Sequence, residues 1–390
     1  MRIVLVGGGH SHALVLHYWS QRPLPGVELV LISNVHQAPY SGMVPGYLAG
    51  LYRHGEIHID LPSLAEGAQA RFVLDTAIAV DPDNQRLHTP NQGWLDFDLL
   101  SLDLGSTPYL GPLAGAEWVL PAKPVPQFLE AWQDFLVKTR SPLVKTVTLA
   151  IVGGGAGGVE LALNLQARLR YLFDQRPISP RLQIHLLHQG EHLLPGHSRQ
   201  ARRWVSQMLR QRGIQVSLGK TVKAVEKDFS QGFPMAPLTT YAVIDQTGHQ
   251  IAANLVLWVT QASAPDWLRP SGLTLDDRGF IQVGPTLQSL SHSFIFASGD
   301  IASLTPHPCP KAGVFAVRQG RPLFENLRRY CLHQPLKPYI PQKRYLSLLG
   351  TGQQTALASW GPWAWHSALA WRWKDWLDRR FMAKFAQYHH

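Results

Sequence analysis

The apolar positions of the chain fall into short runs that end in glycine, and the first run sets the pattern. Ile3-Val4-Leu5-Val6 leads straight into Gly7-Gly8-Gly9. That predicts a buried parallel strand, a tight turn, and a helix from about His12 to Trp19. Residues 27–33 (VELVLIS) predict a second strand, and residues 99–106 (LLSLDLGS) a third that ends in glycine. A proline-rich stretch from Pro108 to Pro126 marks a domain boundary, and residues 130–137 read as a helix. The opening pattern then returns. VTLAIV (147–152) runs into GGGAGGVE (153–160) and an apolar helix over 161–172, with matching strands at 183–187 and 255–260. Residues 293–300 (SFIFASGD) form a strand ending in Gly299-Asp300, and a helix runs from Pro310 to about Tyr330. Residues 345–349 and 355–359 pair as strands around Gly350-Thr351-Gly352. After Gly361-Pro362, a helix carries Trp365, Leu369, Trp373, Trp376, Leu377 and Phe381 on one broad face.

A glycine turn between strand and helix exposes backbone N–H groups and a helix N-terminus to a pyrophosphate, because no side chain blocks the approach. Gly7 and Gly9 fill two slots of the dinucleotide fingerprint, with His12 where the third glycine is expected. Gly153, Gly155 and Gly158 complete G-x-G-x-x-G in the context the motif requires. The acid expected at the end of each second strand is missing: Ser33-Asn34 stands at one and His188-Gln189-Gly190 at the other. Asn34 bonds a ribose hydroxyl more weakly than a carboxylate does. With Arg199, Arg202 and Arg203 downstream, a 2′-phosphate suits the second site at least as well as a hydroxyl. The loop from Pro39 to Gly46 (PYSGMVPG) is either a site loop or a plain connector. Asp300 sits where open α/β sheets hold ligands, and a role as helix N-cap is compatible with that.

At 390 residues with 45% hydrophobic and 16% charged positions, the chain has room for two or three globular domains. The net charge of +10 fits anionic cofactors or an anionic membrane surface. Nucleic acid ranks last as a partner, because no Lys/Arg block or nucleic-acid signature appears. Cys309 and Cys331 are the only cysteines, which excludes a disulfide scaffold and a C-x-x-C redox pair. No signal segment opens the chain and no apolar run is long enough to span a bilayer, so a cytoplasmic protein is expected. Six of the thirteen tryptophans fall between 360 and 376, interspersed downstream with Arg372, Lys374, Arg379, Arg380 and Lys384. That last helix docks on the protein's own core, forms a homodimer interface, or lies over residues 360–385 on the cytoplasmic face of a membrane.

Taken in order, these motifs resemble the FAD-dependent pyridine nucleotide oxidoreductases, flavoproteins with two dinucleotide-binding domains. Type II NADH dehydrogenases and sulfide:quinone reductases are the nearest of these. The likeness is greater still to the NADH-dehydrogenase-like module found fused to, or alongside, selenophosphate synthetase. It rests on GGGHSH, PYSGMVPGYLAG, DLGS, GGGAGGVE, FIFASGD, PKAGVFAVRQG, LLGTGQQTALASWG and WKDWLDRRFM, and covers essentially the whole chain. It implies an α/β fold of two Rossmann-like domains with a small C-terminal α+β segment. Residues 1–118 and 284–335 would bind FAD, 119–283 would bind NADH or NADPH, and 336–390 would offer a membrane, acceptor or dimer surface.

By the same resemblance, Gly7, Gly9, His10, Ser11 and His12 would hold the FAD pyrophosphate and Asn34 its adenosine ribose. Ser41, Gly42 and Met43, Gly105-Ser106, Gly299-Asp300 and Lys311-Ala312-Gly313 would line the rest of the flavin. Asp300 would bond the ribityl chain. Gly153, Gly155, Ala156, Gly157, Gly158 and Glu160 would serve the nicotinamide nucleotide. Lys311 and Tyr40 are the candidate catalytic residues, Lys311 as a cation that stabilises the reduced flavin. Thr260-Gln261 stands where relatives have Thr-Gly, and no metal site is expected. The activity implied is transfer of a hydride from NAD(P)H to FAD, then of electrons to a quinone or another small acceptor. Two alternatives stay open: a soluble flavin reductase of a sulfur or selenium compound, and a non-catalytic redox sensor.

Overall fold

The computed structural model describes residues 1–227 and 237–388 of the chain. Strand β1 (Arg2–Val6) enters the first glycine turn, helix α1 (His10–Gln21) returns along the sheet, and β2 (Glu28–Ser33) lies parallel to β1. Strand β3 (Arg71–Leu74) extends the sheet beyond β2, and β4 (Leu99–Leu102) pairs with the other side of β1. Ile295–Ala297, far along the chain, closes the sheet beyond β4. All these pairings are parallel. Ile3 to Val6 and Leu99 to Leu102 are wholly buried, as strands covered on both faces must be. The winding reverses between β1 and β4, so the crevice at their carboxyl ends is the place for a ligand.

The second half repeats this plan with β5 (Leu120–Pro121), α2 (Val125–Thr139), β6 (Thr146–Val152), α3 (Ala156–Asp174), β7 (Arg181–His188), α4 (Arg199–Gln211), β8 (Gln215–Leu218) and β9 (Leu255–Trp258). The sheet order is β5-β9-β6-β7-β8, again parallel, with its reversal between β6 and β9. Helix α2 begins earlier than its apolar pattern predicts, because Pro124 and Pro126 sit at its start, where a missing N–H costs nothing. Thr107–Pro108 pairs antiparallel with Ala262–Ser263 and ties the two halves together.

Strand β10 (Ile295–Ala297) is followed by a single 3₁₀ turn, Gly299–Ile301, and by α5 (Gly313–Cys331), which packs along α1. Then β11 (Ser347–Gly350), β12 (Ala356–Trp360) and β13 (Trp363–Ser367) form an antiparallel sheet that leads into α6 (Ala368–Met382). Two expectations need correcting here. Trp365 lies on β13, not on the terminal helix, because Gly361-Pro362 makes a hairpin turn. Phe381 turns inward with Ala370, Trp371, Lys374 and Asp378, whereas Leu369, Trp373, Trp376 and Leu377 face outward. Among the described residues, no helix is long and apolar enough to cross a membrane.

Candidate active site

Both glycine turns are built alike. Gly7 donates to the Ile32 carbonyl and Gly153 to the Leu187 carbonyl, each at 2.8 Å. Both have positive φ, +94° and +125°, and a Cβ on either would stand 2.3 Å from a backbone carbonyl oxygen. Only glycine fits such a position. The first turn opens on a cavity of about 430 Å³ that runs from residues 7–9 and Ser33-Asn34 past residues 75–77 to Ser106, Asp300 and Lys311.

The far end of this cavity is polar. The Asp300 carboxylate accepts from the Ser106 hydroxyl at 2.9 Å and from the Lys123 ammonium at 2.6 Å. Burial pushes this carboxyl up, but Lys123 and Ser106 outweigh it and hold Asp300 below the ordinary carboxylate range. Lys311 donates to the Ala302 carbonyl at 2.6 Å and stands 4.0 Å over the Phe280 ring, and burial lowers its pKa. His10 meets Ser41 and Gly313 across the cavity, and burial brings its imidazole down to about 4, so the ring is neutral at pH 7. At the glycine turn, the Asp103 carboxylate accepts from the Ser11 and His12 N–H groups at 2.9 and 3.2 Å.

Beside the 40–43 loop, α6 brings in a buried pair of opposite charges. Lys374 donates to the Gly42 carbonyl at 2.5 Å and to the Asp378 carboxylate at 2.7 Å, and both side chains are more than nine-tenths buried. Glu160, on α3, accepts from the Gly350 N–H at 2.7 Å. Burial pushes its carboxyl up to about 7, against the pull of Lys374 and Gly350. The Tyr40 ring stacks on Phe381 at 4.5 Å and meets the edge of His10 at 5.1 Å. Burial first, and Asp378 after it, raise the Tyr40 hydroxyl, which stays protonated.

The second turn is more open. A Cβ at Gly155 meets nothing within 4 Å, whereas one at Gly158 would stand 1.8 Å from the Gly153 carbonyl oxygen. His188 accepts from the Gly154 N–H at 3.1 Å and so closes the end of β7, where an acid is expected. Lys220, next to it, is bound to Asp245 at 2.8 Å. Arg199 and Arg203 line a separate surface cavity with Gly361-Pro362. Thr260 donates to the Tyr109 carbonyl at 2.7 Å, and Gln261 is exposed beside it.

The sequence profile of the pyridine nucleotide-disulphide oxidoreductases matches residues 1–320. The chain belongs to this family. Membership makes it an oxidoreductase and indicates FAD and NAD(P)H as its cofactor pair. Among its relatives, ferroptosis suppressor protein 1 of Xenopus tropicalis is 24% identical over 87% of this chain and 84% of its own. Demethylphylloquinone reductase NdbB of Synechocystis is 26% identical over 86% and 83%. The fold is shared with NDH2 of Plasmodium falciparum in complex with NADH, at a TM-score of 0.80 and 13% identity, over 99% of this chain and 97% of that one.

This pyridine nucleotide-disulphide oxidoreductase has no cysteine pair for disulphide chemistry: Cys309 and Cys331 are both free, and burial raises both thiols. Of the residues picked from sequence, Gly7, Gly9, His10, Asn34, Ser41, Gly105, Ser106, Asp300, Lys311 and Gly313 line the cavity. Others lie off its walls. His12 is wholly buried beneath the turn, bonded to the Gly7 carbonyl at 2.8 Å and to Ser101 Oγ at 2.9 Å, because its ring fills the gap between β1 and β4. The Ser11 hydroxyl donates to the Ala316 carbonyl, Met43 is in the core, Gly299 donates to Gln319, and Glu160 serves the C-terminal sheet. Lys123, Asp103, Lys374 and Asp378 escape sequence reasoning. Lys123 follows no motif, and Lys374 with Asp378 looks like any i,i+4 surface pair.

Proposed function

We propose that this protein is an FAD-dependent NAD(P)H dehydrogenase that passes electrons to a quinone-type acceptor. The observation that carries the reading is the pair of matching glycine turns at the two sheet reversals, one opening on a cavity that ends at Asp300 and the start of α5. A bound FAD would supply the hydride-accepting and electron-releasing chemistry, and the protein would hold and orient it. The N–H groups of the first turn would bind the FAD diphosphate, Asn34 the adenosine ribose, and Asp300 a ribityl hydroxyl. Ser41 and Gly313 would flank the ring. Lys311 and the N-terminus of α5 would offset negative charge on it. The turn at residues 153–158 would bind NADH or NADPH. Glu160, whose carboxyl burial raises to about 7 against the pull of Lys374, would keep a proton near neutral pH for an acceptor beside the 40–43 loop.

The relatives named as quinone reductases support the acceptor class. The outward face of α6 supports a peripheral membrane contact, which would bring the protein to a lipid-soluble acceptor. Leu369, Trp373 and Trp376 are exposed on α6 with Arg372 and Arg380 among them, and Trp360 and Trp363 are exposed on the hairpin that leads into it. Tryptophan with basic residues suits the headgroup region. The alternative, reduction of a sulfur or selenium compound, rests on the resemblance to the selenophosphate-synthetase-associated module. Steady-state turnover with a short-chain quinone, polysulfide and selenite as rival acceptors separates the two. Quinone turnover at least about tenfold faster supports the first reading, and the reverse order overturns it.

A further inference from the structure

We propose that Asp103 makes the binding of FAD proton-linked: its carboxyl must carry a proton before the diphosphate settles on the first turn of α1. The inference rests on the cleft being the FAD site.

The two halves of the molecule supply the comparison. A Cβ on Gly7 would meet the carbonyl oxygen of Asp103, and a Cβ on Gly153 would meet that of Val259, both at 2.3 Å. Each of these residues follows the strand that pairs across the sheet reversal, β4 or β9. Asp103 and Val259 are therefore equivalent positions. In the second half, the residue is an apolar valine, and the side-chain bond at that turn, from the Gly154 N–H to His188, lies ahead of α3 and brings no carboxylate. In the first half, the same position puts a carboxylate on the Ser11 and His12 N–H groups. A helix leaves four such N–H groups unpaired at its start, and they are what draws an anion there. Asp103 thus already holds two of the four with a negative charge of its own. It is 3% exposed, and a Cβ at Gly9 would lie 2.2 Å from its carboxyl carbon, so it cannot turn aside into water.

The groups around it leave the charge uncompensated. Asp300, across Gly299, is a like charge, already bound to Lys123. From α1, both His10 and His12 are held neutral by burial. From α5, the neighbours Ala316 and Gln319 carry no charge, and the Lys311 cation, just ahead of that helix, acts on Asp300 rather than on Asp103. Burial pushes the Asp103 carboxyl up to about 7, against the two N–H bonds that pull it down. A diphosphate arriving at the same turn raises it further, since like charges disfavour ionisation. The free protein, partly ionised above pH 7, must then take up a proton as FAD binds.

The test is calorimetric titration of FAD into the full chain freed of flavin, at about pH 8, in buffers of different ionisation enthalpy. Uptake approaching one proton per FAD is expected, with affinity falling by up to about tenfold per pH unit above about 7. Asp103→Asn keeps the acceptor for Ser11 and His12 and removes the charge. Asp103→Val copies the second half. Both should bind FAD with no uptake and with affinity flat in pH. FAD binding with the same heat in every wild-type buffer overturns the inference and leaves the cofactor assignment standing. So does uptake that persists in both variants. A wild-type chain that binds no FAD at any pH overturns both.

Discussion

The Lys374 ammonium lies 2.7 Å from the Asp378 carboxylate one turn along α6, with both side chains less than a tenth exposed. The same ammonium reaches the carbonyl of Gly42. The terminal helix is thereby fastened to the loop beside the cleft by a buried ion pair. Removing one member of such a pair leaves an uncompensated buried charge, which costs about 3–5 kcal/mol, whereas replacing both with apolar groups of similar volume is close to neutral. Lys374→Met should therefore lower the urea midpoint strongly, and adding Asp378→Leu should recover most of the loss. A double variant as unstable as the single one would show that Gly42, not the pairing, is what Lys374 supports.

Glu160 gives the fold a pH dependence of predictable sign. Its folded-state value, about 7, lies above the ordinary 4.5, so the native protein keeps the proton to higher pH than the unfolded chain does. Stability then falls as pH rises from about 4.5 to about 7, and this group adds no slope outside that window. Glu160→Gln imitates the protonated acid and should remove this share of the slope. Denaturation midpoints of wild type and variant should agree at about pH 4.5 and diverge by about pH 7.5, with the variant the more stable. A constant difference across that range would refute the assignment.

The membrane contact is testable by point substitution only, because α6 and its sheet also hold Gly42 and Glu160 and their removal would open the core. Leu369, Trp373 and Trp376 are 72, 46 and 53% exposed, so Leu369→Ser/Trp373→Ser/Trp376→Ser should leave the thermal midpoint nearly unchanged. Wild type should sediment with vesicles containing anionic phospholipid, and the triple variant several-fold less. Equal sedimentation would argue against this face. A wild-type dimer that the substitutions split, with no vesicle binding, would make it a subunit interface instead.

Local signals made the two halves of the fold legible. Strand, glycine turn and helix are written within about a dozen residues at Gly7 and at Gly153, and Asp300 sits at the predicted strand end. What is not legible depends on tertiary contact. Asp103 is visible in DLGS, yet its place on the α1 N-terminus follows from β4 lying beside β1, which no local pattern encodes. Lys123 sits among prolines and reaches Asp300 only because the connector crosses the cleft. His12 occupies a glycine slot of the fingerprint, and only the packed structure shows its ring bonded beneath the turn. The apolar spacing announces a terminal helix, but it puts Trp365 on that helix and Phe381 on its tryptophan face, and it does not reveal the inward face with its buried ion pair.

The proposed activity is tested most directly by anaerobic titration of the purified flavin-bearing protein with NADH and with NADPH, followed by a short-chain quinone. At least one nucleotide should bleach the flavin absorption band stoichiometrically, and the quinone should restore it. A protein that binds either nucleotide tightly while its flavin band stays oxidised would contradict the proposed activity.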